Sequence, residues 1–423
     1  MKKYLITTVL TFITIFNTYA QQFDLSAEIR PRYENRRGYG SLIPTDTDGS
    51  NFVSQRTRLN FGFKNDKMQL KVVTQNIRVW GDVNTLAIDD KASALHEAWA
   101  EAILTNKISL KLGRQEIVYD DHRIFGDVDW TQQARSHDAF LFKYVPNENQ
   151  KLDIGFALNS DSESNIDNLY SNAAGYKTFQ YAYYHGDFNK FGLSFLFLNT
   201  GIEYLENIGF NNESQTIDYM QTIGPRLTYN YGKINANAAA YFQTGKSLNT
   251  NVSASYFAGD VDYKISNHFN AGIGMEYLSG KDMDDVDTDT KSFAPLFGTN
   301  HKFNGWMDYF YVNNYANSVG LNDIYATVAY AKDKFSAKVI PHFFSAAANV
   351  FDGTTKMDNY LGTEIDFTIG YKLAKDIVLN AGYSKMYATN TMEILKGGDK
   401  NENNSWTWVM FTFKPHLFSY KAN

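Results

Sequence analysis

The stretch Phe23-Asp24-Leu25-Ser26-Ala27-Glu28-Ile29-Arg30 decides the fold. Apolar Phe23, Leu25, Ala27 and Ile29 alternate with polar or charged Asp24, Ser26, Glu28 and Arg30. A period of two puts the two sets on opposite faces of a strand. The pattern recurs along the chain. Thr57, Leu59, Phe61 and Phe63 alternate with Arg56, Arg58, Asn60 and Gly62. Ile234, Ala236, Ala238, Ala240 and Phe242 alternate with Asn235, Asn237, Tyr241 and Gln243. Leu361, Thr363, Ile365, Phe367 and Ile369 alternate with Gly362, Glu364, Asp366 and Thr368. Each segment approaches the roughly 9–11 residues that a tilted strand needs to cross a bilayer. Two-faced strands from end to end predict an all-β fold, a transmembrane antiparallel up-and-down β-barrel.

The start of the chain reads as an export signal. Lys2 and Lys3 form a basic start, and Leu5 to Phe16 a short apolar core diluted by Thr. Thr18-Tyr19-Ala20 then places small residues for cleavage after Ala20, so residues 1–20 are read as a signal peptide and 21–423 as one barrel domain. Losing both lysines with the leader moves the formal charge from −6 to −8. That mildly acidic balance argues against nucleic acid as a partner. The absence of Cys excludes disulfides, thiol catalysis and a lipidated N-terminal Cys. Mean hydropathy of −0.40 suits strands with one face in lipid. An aromatic content of 16 % suits girdles at two membrane interfaces, and only 7 Pro suit a chain of ladder-bonded strand.

Counting two-faced segments gives about eighteen strands. They start near Phe23, Phe52, Lys67, Leu95, Lys107, Ser136, Lys151, Thr178, Phe191, Met220, Lys233, Val252, His268, Gly305, Phe335, Tyr360, Ile377 and Ser405. The segment 323–331 competes with the one at Gly305. Short turns such as Asn65-Asp66 and Tyr231-Gly232-Lys233 alternate with longer polar stretches at 38–51, 160–175, 207–218, 280–304 and 390–404. Short turns at one end and long loops at the other is the outer-membrane arrangement. Trp406 to Phe413 is apolar on both parities, which suits a closing seam, and Lys414 to Asn423 runs on beyond it.

Ten of the eleven arginines precede residue 136, leaving only Arg226 beyond. Arg30, Arg32, Arg56 and Arg58 sit on the polar parity of the first two strands. Lys71 and Gln75 precede Arg78 on the next, where the phase becomes irregular near Ile77. In an up-and-down barrel these strands are neighbours, so a basic stripe on the inner wall is expected. Guanidinium stays charged and grips carboxylates in a forked geometry, so the stripe can form an anion path. The competing role is bracing, with the arginines paired to lumenal acids such as Glu28, Glu34, Glu97, Glu101, Asp138, Glu364 and Asp366.

Leu112-Gly113-Arg114-Gln115-Glu116-Ile117-Val118-Tyr119-Asp120-Asp121 is followed by Arg123, Trp130, Arg135 and Asp138. Ser292-Phe293-Ala294-Pro295-Leu296-Phe297-Gly298-Thr299-Asn300-His301 leads to Gly305 and Asp308, and Leu361-Gly362-Thr363-Glu364-Ile365-Asp366 follows later. In order and content these stretches resemble the alginate export family of outer-membrane barrels. The resemblance implies an eighteen-stranded barrel passing a polyuronate through a basic lumen. Arg30, Arg32, Arg56, Arg58, Arg78, Arg114 and Arg135 are the positions that could serve it. The expected solute path adds Lys71, Gln75, Asp138, Glu364 and Asp366.

Other chemistry is thinner. Asp282, Asp284, Asp285, Asp287 and Asp289 crowd one loop but lack the Gly and terminal Glu of an EF-hand, so a solvated loop is expected. His122 beside Asp120 and Asp121 could form a base with its orienter, the basis of an alternative outer-membrane hydrolase. A third alternative is a plugged structural barrel. The expected protein is a non-enzymatic monomeric porin, with no cofactor and no metal. Its partners are outer-membrane lipid, an anionic or polar carbohydrate solute and, for export, a periplasmic protein.

Overall fold

The computed structural model describes residues 21–90, 92–166, 168–170, 175–207, 214–311 and 319–422. The proposed signal peptide lies outside them. Alternation builds long strands: β1 (Gln22–Arg37), β2 (Ser50–Lys64), β3 (Met68–Val79), β4 (Ser93–Ile103), β5 (Ile108–Gln115), β6 (His137–Asn147) and β7 (Gln150–Leu158). There follow β8 (Thr178–Phe188), β9 (Phe191–Glu206), β10 (Ser214–Tyr231), β11 (Ile234–Ser247), β12 (Thr250–Lys264), β13 (Phe269–Leu278), β14 (Leu321–Lys332) and β15 (Phe335–Ser345). A small loop hairpin, β16 (Phe351–Asp352) and β17 (Thr355–Lys356), precedes β18 (Tyr360–Ala374), β19 (Ile377–Ala388), β20 (Ser405–Phe413) and β21 (His416–Lys421). A short helix, α1 (Asn390–Lys396), caps the connection from β19 to β20.

Each wall strand pairs antiparallel with its neighbours, and β1 closes the sheet by pairing with β2 on one side and β20 and β21 on the other. β20 and β21 are one wall strand interrupted at Lys414-Pro415, so the barrel has eighteen strands. β1 reaches lower than β19, and residues after Phe413 supply the partner that its lower edge needs, with Leu25 opposite Phe418. The run beyond the aromatic seam is therefore wall. A closed barrel leaves no unpaired edge in lipid.

The outward parity is an apolar belt: Phe195, Phe197, Val328, Phe343 and Phe367 are all exposed. The inward parity holds Glu28, Arg30, Arg56, Gln243, Glu364 and Asp366, all buried. Seventeen of the eighteen expected starts lie in or beside observed strands; Gly305 does not. Gly305 belongs to an inward loop, with φ +80°, and the fourteenth strand is Leu321–Lys332. The mixed polarity around Gly305 reflects a loop packed against lumenal wall. The expected long loop at 207–218 is shorter, because β9 runs to Glu206 and β10 begins at Ser214.

The buried core lies inside the barrel. The β5–β6 connection (116–136) and residues 292–311 of the β13–β14 connection fold into the lumen. Ile117, Tyr119, Ile124 and Phe125 of the first, and Phe293 and Phe297 of the second, join one buried cluster with Phe179, Tyr181, Tyr183, Leu196 and Leu198 of β8 and β9. The inner face there is apolar because loop covers it.

Candidate functional site

The two inward loops meet in mid-lumen. Phe125 and Phe297 form a parallel bridge. Gly126 N donates to Phe297 O at 2.8 Å, and Thr299 N donates to His122 O at 2.8 Å. Val128 N donates to Thr299 Oγ1 at 2.9 Å, and Arg135 Nη1 to Gly298 O at 3.0 Å. A β-carbon on Gly126 would lie 2.3 Å from Thr299 Oγ1, so this crossing needs glycine. Asp127 Oδ1 accepts from Thr299 Oγ1 at 3.1 Å and pairs with His122 Nδ1 at 3.3 Å. The His122 hydrogen bond helps hold the Asp127 carboxyl down to about 2. Burial lowers the Arg135 guanidinium from its ordinary value.

The arginine stripe holds the first loop against the wall. Asp129 reaches Arg30 at 3.2 Å, Arg56 at 2.7 Å and Arg58 at 3.6 Å. Arg30 also donates to Gln132 Oε1 at 3.2 Å and Thr131 O at 3.0 Å. Arg56 Nε donates to Glu28 at 2.8 Å, and Arg58 Nε to Gln75 at 2.9 Å. Gln75 Nε2 in turn donates to Gln133 O at 3.1 Å. Arg32 Nη1 donates to Trp130 O at 2.7 Å and Arg32 Nε to Glu34 at 2.9 Å. The Arg32 guanidinium lies 4.2 Å from the Trp130 ring centre. His301 of the second loop stacks on Trp130 at 4.7 Å and 14°. Trp406 and Trp408 of β20 meet its edge, and Tyr39 and His301 share Asp308.

Wall acids hold the second loop. Met307 N donates to Glu364 Oε1 at 2.8 Å, and Trp306 N to Asp366 Oδ2 at 3.3 Å. Asn304 Nδ2 donates to Glu276 at 2.8 Å and to Asp323 at 3.3 Å. Arg123 from the first loop donates to Glu276 and Asn304, each at 2.8 Å. His342 lies between Asp323 at 2.9 Å and Asp366 at 3.6 Å.

Arg30, Arg32, Arg56, Arg58, Lys71, Gln75, Glu364 and Asp366 lie on the inner wall, and Arg135 on the first loop. Lys71 pairs with Glu97 at 2.7 Å. Arg78, Arg114 and Asp138 need correction. Arg78 is level with outward Gln55 and bonds Asn76 and Asp90. Arg114 pairs with Asp138 at 2.9 Å, on the face that carries exposed Leu112 and Phe140. The reason is phase: Ile77, Gln75 and Val73 take the inward positions of β3, and Gly113 and Gln115 those of β5.

His122 bonds within the loop crossing. Asp120 accepts from Tyr183 at 2.7 Å and Ser194 at 2.6 Å, and Asp121 binds Arg226. Asp282 accepts from Asn349 N, while Asp285 and Asp287 pair with Lys291. Sequence reasoning missed Asp129 and Trp130 as the docking groups. Their signal was Asp-Trp facing four inward arginines across a closed barrel, visible only once the loop is turned inward.

Beneath the loops, toward the short-turn end, lie two neighbouring cavities. One, of about 470 Å3, lies among Asp129, Trp130, Lys302, Trp306, Thr368 and Asn380. The other, of about 380 Å3, lies among Asp260, Asp262, Lys302, Trp306 and Lys338. Lys302 and Trp306 line both. Lower still, Lys111 lies 4.0 Å from the Trp99 ring centre, and Lys143 pairs with Glu101 at 2.9 Å. Ammonium and carboxylate groups thus share the inner wall below the loops.

Solved structures share this barrel. OccK11 (OpdR) of Pseudomonas aeruginosa superposes with a TM-score of 0.59 at 12 % identity, covering 94 % of this chain and 96 % of that one. A BenF-like porin from Pseudomonas fluorescens Pf-5 gives 0.59 at 14 %, covering 93 % and 99 %. OpdK of Pseudomonas aeruginosa, solved with vanillate, gives 0.57 at 13 %, covering 95 % and 99 %. No curated protein matches the sequence. The family model described as alginate export matches residues 21–407. This outer-membrane porin-like barrel belongs to the alginate export family.

Proposed function

We propose that this protein is a monomeric diffusion channel for anionic and polar solutes, with saccharides, uronates included, as the first class to test. The observation that supports it most is the lining of the smaller cavity beneath the loops, where Lys302 and Lys338 stand beside Asp260 and Asp262. Ammonium groups replace water around a moving anion, and carboxylates opposite keep it from being trapped. Arg30, Arg32, Arg56 and Arg58 act first as braces that hold the constriction loop. They act on permeation through the charge they leave beside Asp129. Lys71, Lys111 and Lys143 continue the positive side below it. The vanillate in OpdK belongs to that protein, and its carboxylate makes small aromatic acids a second probe class. Export of a polymer would further require a periplasmic partner.

The test is single-channel current of the refolded protein in a planar bilayer, with reversal potential read across a KCl gradient. Stable conductance with anion preference is expected. Cation preference would overturn the role given to the arginines and lysines. Absence of current from folded protein would overturn the channel itself.

A further inference from the structure

The short-turn end of the barrel carries a charge opposite to that of the whole chain. Eight hairpin turns lie there, at 65–67, 104–107, 148–149, 189–190, 232–233, 265–268, 333–334 and 375–376. Six of them contain a lysine: Lys67, Lys107, Lys190, Lys233, Lys334 and Lys375. Lys64, Lys264 and Lys332 end the strands that lead into three of the turns. Carboxylates within the turns are fewer: Asp66, Glu148, Asp333 and Asp376. Asp187 and Lys372 stand just inside the strand ends and offset one another. This end therefore has a surplus of positive charge, in a chain whose formal charge is −6. Lysines on the inner wall are matched by acids, Lys71 by Glu97 at 2.7 Å and Lys143 by Glu101 at 2.9 Å. Among the described residues none of the six turn lysines forms a salt bridge. Five of the six are exposed and Lys190 is half-buried.

Two observations place this charge against lipid. The first is the company the lysines keep. Lys190 Nζ lies 3.4 Å from the Tyr231 ring centre, and Lys233 Nζ lies 5.8 Å from that of Tyr263. Both rings are exposed on the outward parity. The same level of the wall carries exposed Phe188, Phe191, Phe269, Phe335, Tyr371 and Tyr420. Outward aromatic residues at one height form a girdle of the kind that marks a membrane–water interface. The second is the spread of the lysines. Their turns join strand pairs from β2–β3 round to β18–β19, so ammonium groups stand on nearly every side of the closed wall. Short turns face the periplasm in outer-membrane barrels, which sets the ring at the head-group height of the periplasmic leaflet.

We propose that the turn lysines form a docking ring for anionic phospholipid head groups of the periplasmic leaflet. The lysine stems lie along the girdle and their ammonium groups reach the phosphates. A phosphatidylglycerol head group brings a net negative charge that a zwitterionic head group lacks, so it balances the surplus on the turns. Charge complementarity alone would also suit an acidic protein at the periplasmic mouth. Such a protein would cover one sector of the rim, whereas these lysines occupy six turns spread round it. Lipid is the partner that meets a barrel on all sides. The bound head groups fix the depth at which the barrel sits, and with it the height of the inward loops in the membrane. This inference is independent of the solute that the lumen passes.

The experiment reconstitutes the full barrel into phosphatidylcholine vesicles with a trace of spin-labelled phosphatidylglycerol or spin-labelled phosphatidylcholine. Electron paramagnetic resonance reads the fraction of each label immobilised at the protein. Wild type is expected to favour the phosphatidylglycerol label about fivefold, the worth of one surface ammonium per head group. Added salt should shrink that preference, because screening shortens the reach of the charges. Replacing the six turn lysines together by Gln should bring the two labels close to equal, and replacing them by Arg should keep the preference. Heat-modifiable migration on gels shows which variants are folded. Should the six-Gln variant fail to fold, Lys190→Gln with Lys233→Gln is the smaller change, and a clear partial loss of preference is expected. An undiminished preference in the folded Gln variant would overturn the ring. Equal immobilisation of both labels by folded wild type would also overturn it, and would turn the lysines toward an acidic periplasmic protein.

Discussion

Asp129→Asn probes the whole constriction with one atom exchanged. The Asp129 carboxylate contacts Arg30 at 3.2 Å, Arg56 at 2.7 Å and Arg58 at 3.6 Å. Arg56 keeps Glu28, and Arg30 keeps Gln132 and loop carbonyls. The three guanidinium groups are thus balanced by two carboxylates, and the substitution leaves them with one. A charge-assisted hydrogen bond contributes about 1.5–3 kcal/mol. The Asp129 side chain is 45 % exposed, so solvent screening cuts each contact to the lower part of that range or below. Loop docking should weaken by about 1–3 kcal/mol in total. An extra positive charge about 7 Å from a passing anion changes its energy by about 0.6 kcal/mol at bulk-water permittivity and about 2.4 kcal/mol at an effective value near 20. Anion occupancy should rise about threefold or more.

The assay is reversal potential across a KCl gradient, with open-channel noise recorded in the same trace. The expected result is a shift toward anions, reduced by salt because screening shortens the reach of the charge. Noise should rise as the loop loosens. Arg56→Ala should shift the potential the opposite way. An Asp129→Asn potential identical to wild type, or displaced toward cations, would refute the reasoning, since the arginines would then not sense the permeating ion.

Three further outcomes follow from the same geometry. Gly305→Ala forces a β-carbon against Glu364 at φ +80°, a left-handed conformation that costs an L residue about 1–2 kcal/mol. Hydrogen exchange at 303–311 should accelerate, and unchanged exchange would show that Glu364 and Asp366 do not hold that loop. Arg78→Ala and Arg114→Ala should leave the reversal potential unmoved, because both side chains face outward; a shift as large as that of Arg58→Ala would overturn their placement. Burial pushes the Lys396 ammonium on α1 down to about 7, and its Nζ has no hydrogen-bond partner among the described residues. The folded loop is therefore penalised fully below pH 7, and the penalty is lost as pH rises toward the unfolded value of about 10.4. Proteolytic resistance of the β19–β20 loop should climb across that window in wild type and stay flat in Lys396→Met; parallel profiles would sink the assignment.

Strand existence and facing were legible in the sequence because lipid enforces them. A one-residue slip in β2 would carry Arg56 and Arg58 into the bilayer, so alternation there is strict and readable. The same logic failed at β3 and β5, where Arg78 and Arg114 stand near the long-loop end. Outward charge is cheap there, and parity no longer reports direction. It failed again at Gly305, since a loop pressed against lumenal wall shows the mixed polarity of a strand. Period two tells which way a side chain points and says nothing of what it meets. Arg30 facing inward is equally compatible with water, a solute or a loop. The missing information lay elsewhere, in β8 and β9. Tyr181, Tyr183, Leu196 and Leu198 face inward, while Phe195 and Phe197 face lipid. A strand that is apolar on both faces must be covered on both, and within a barrel the only available cover is the chain itself. An apolar inner wall in sequence thus predicts an inward loop, and that loop in turn decides how many of the inward arginines are left to meet a solute.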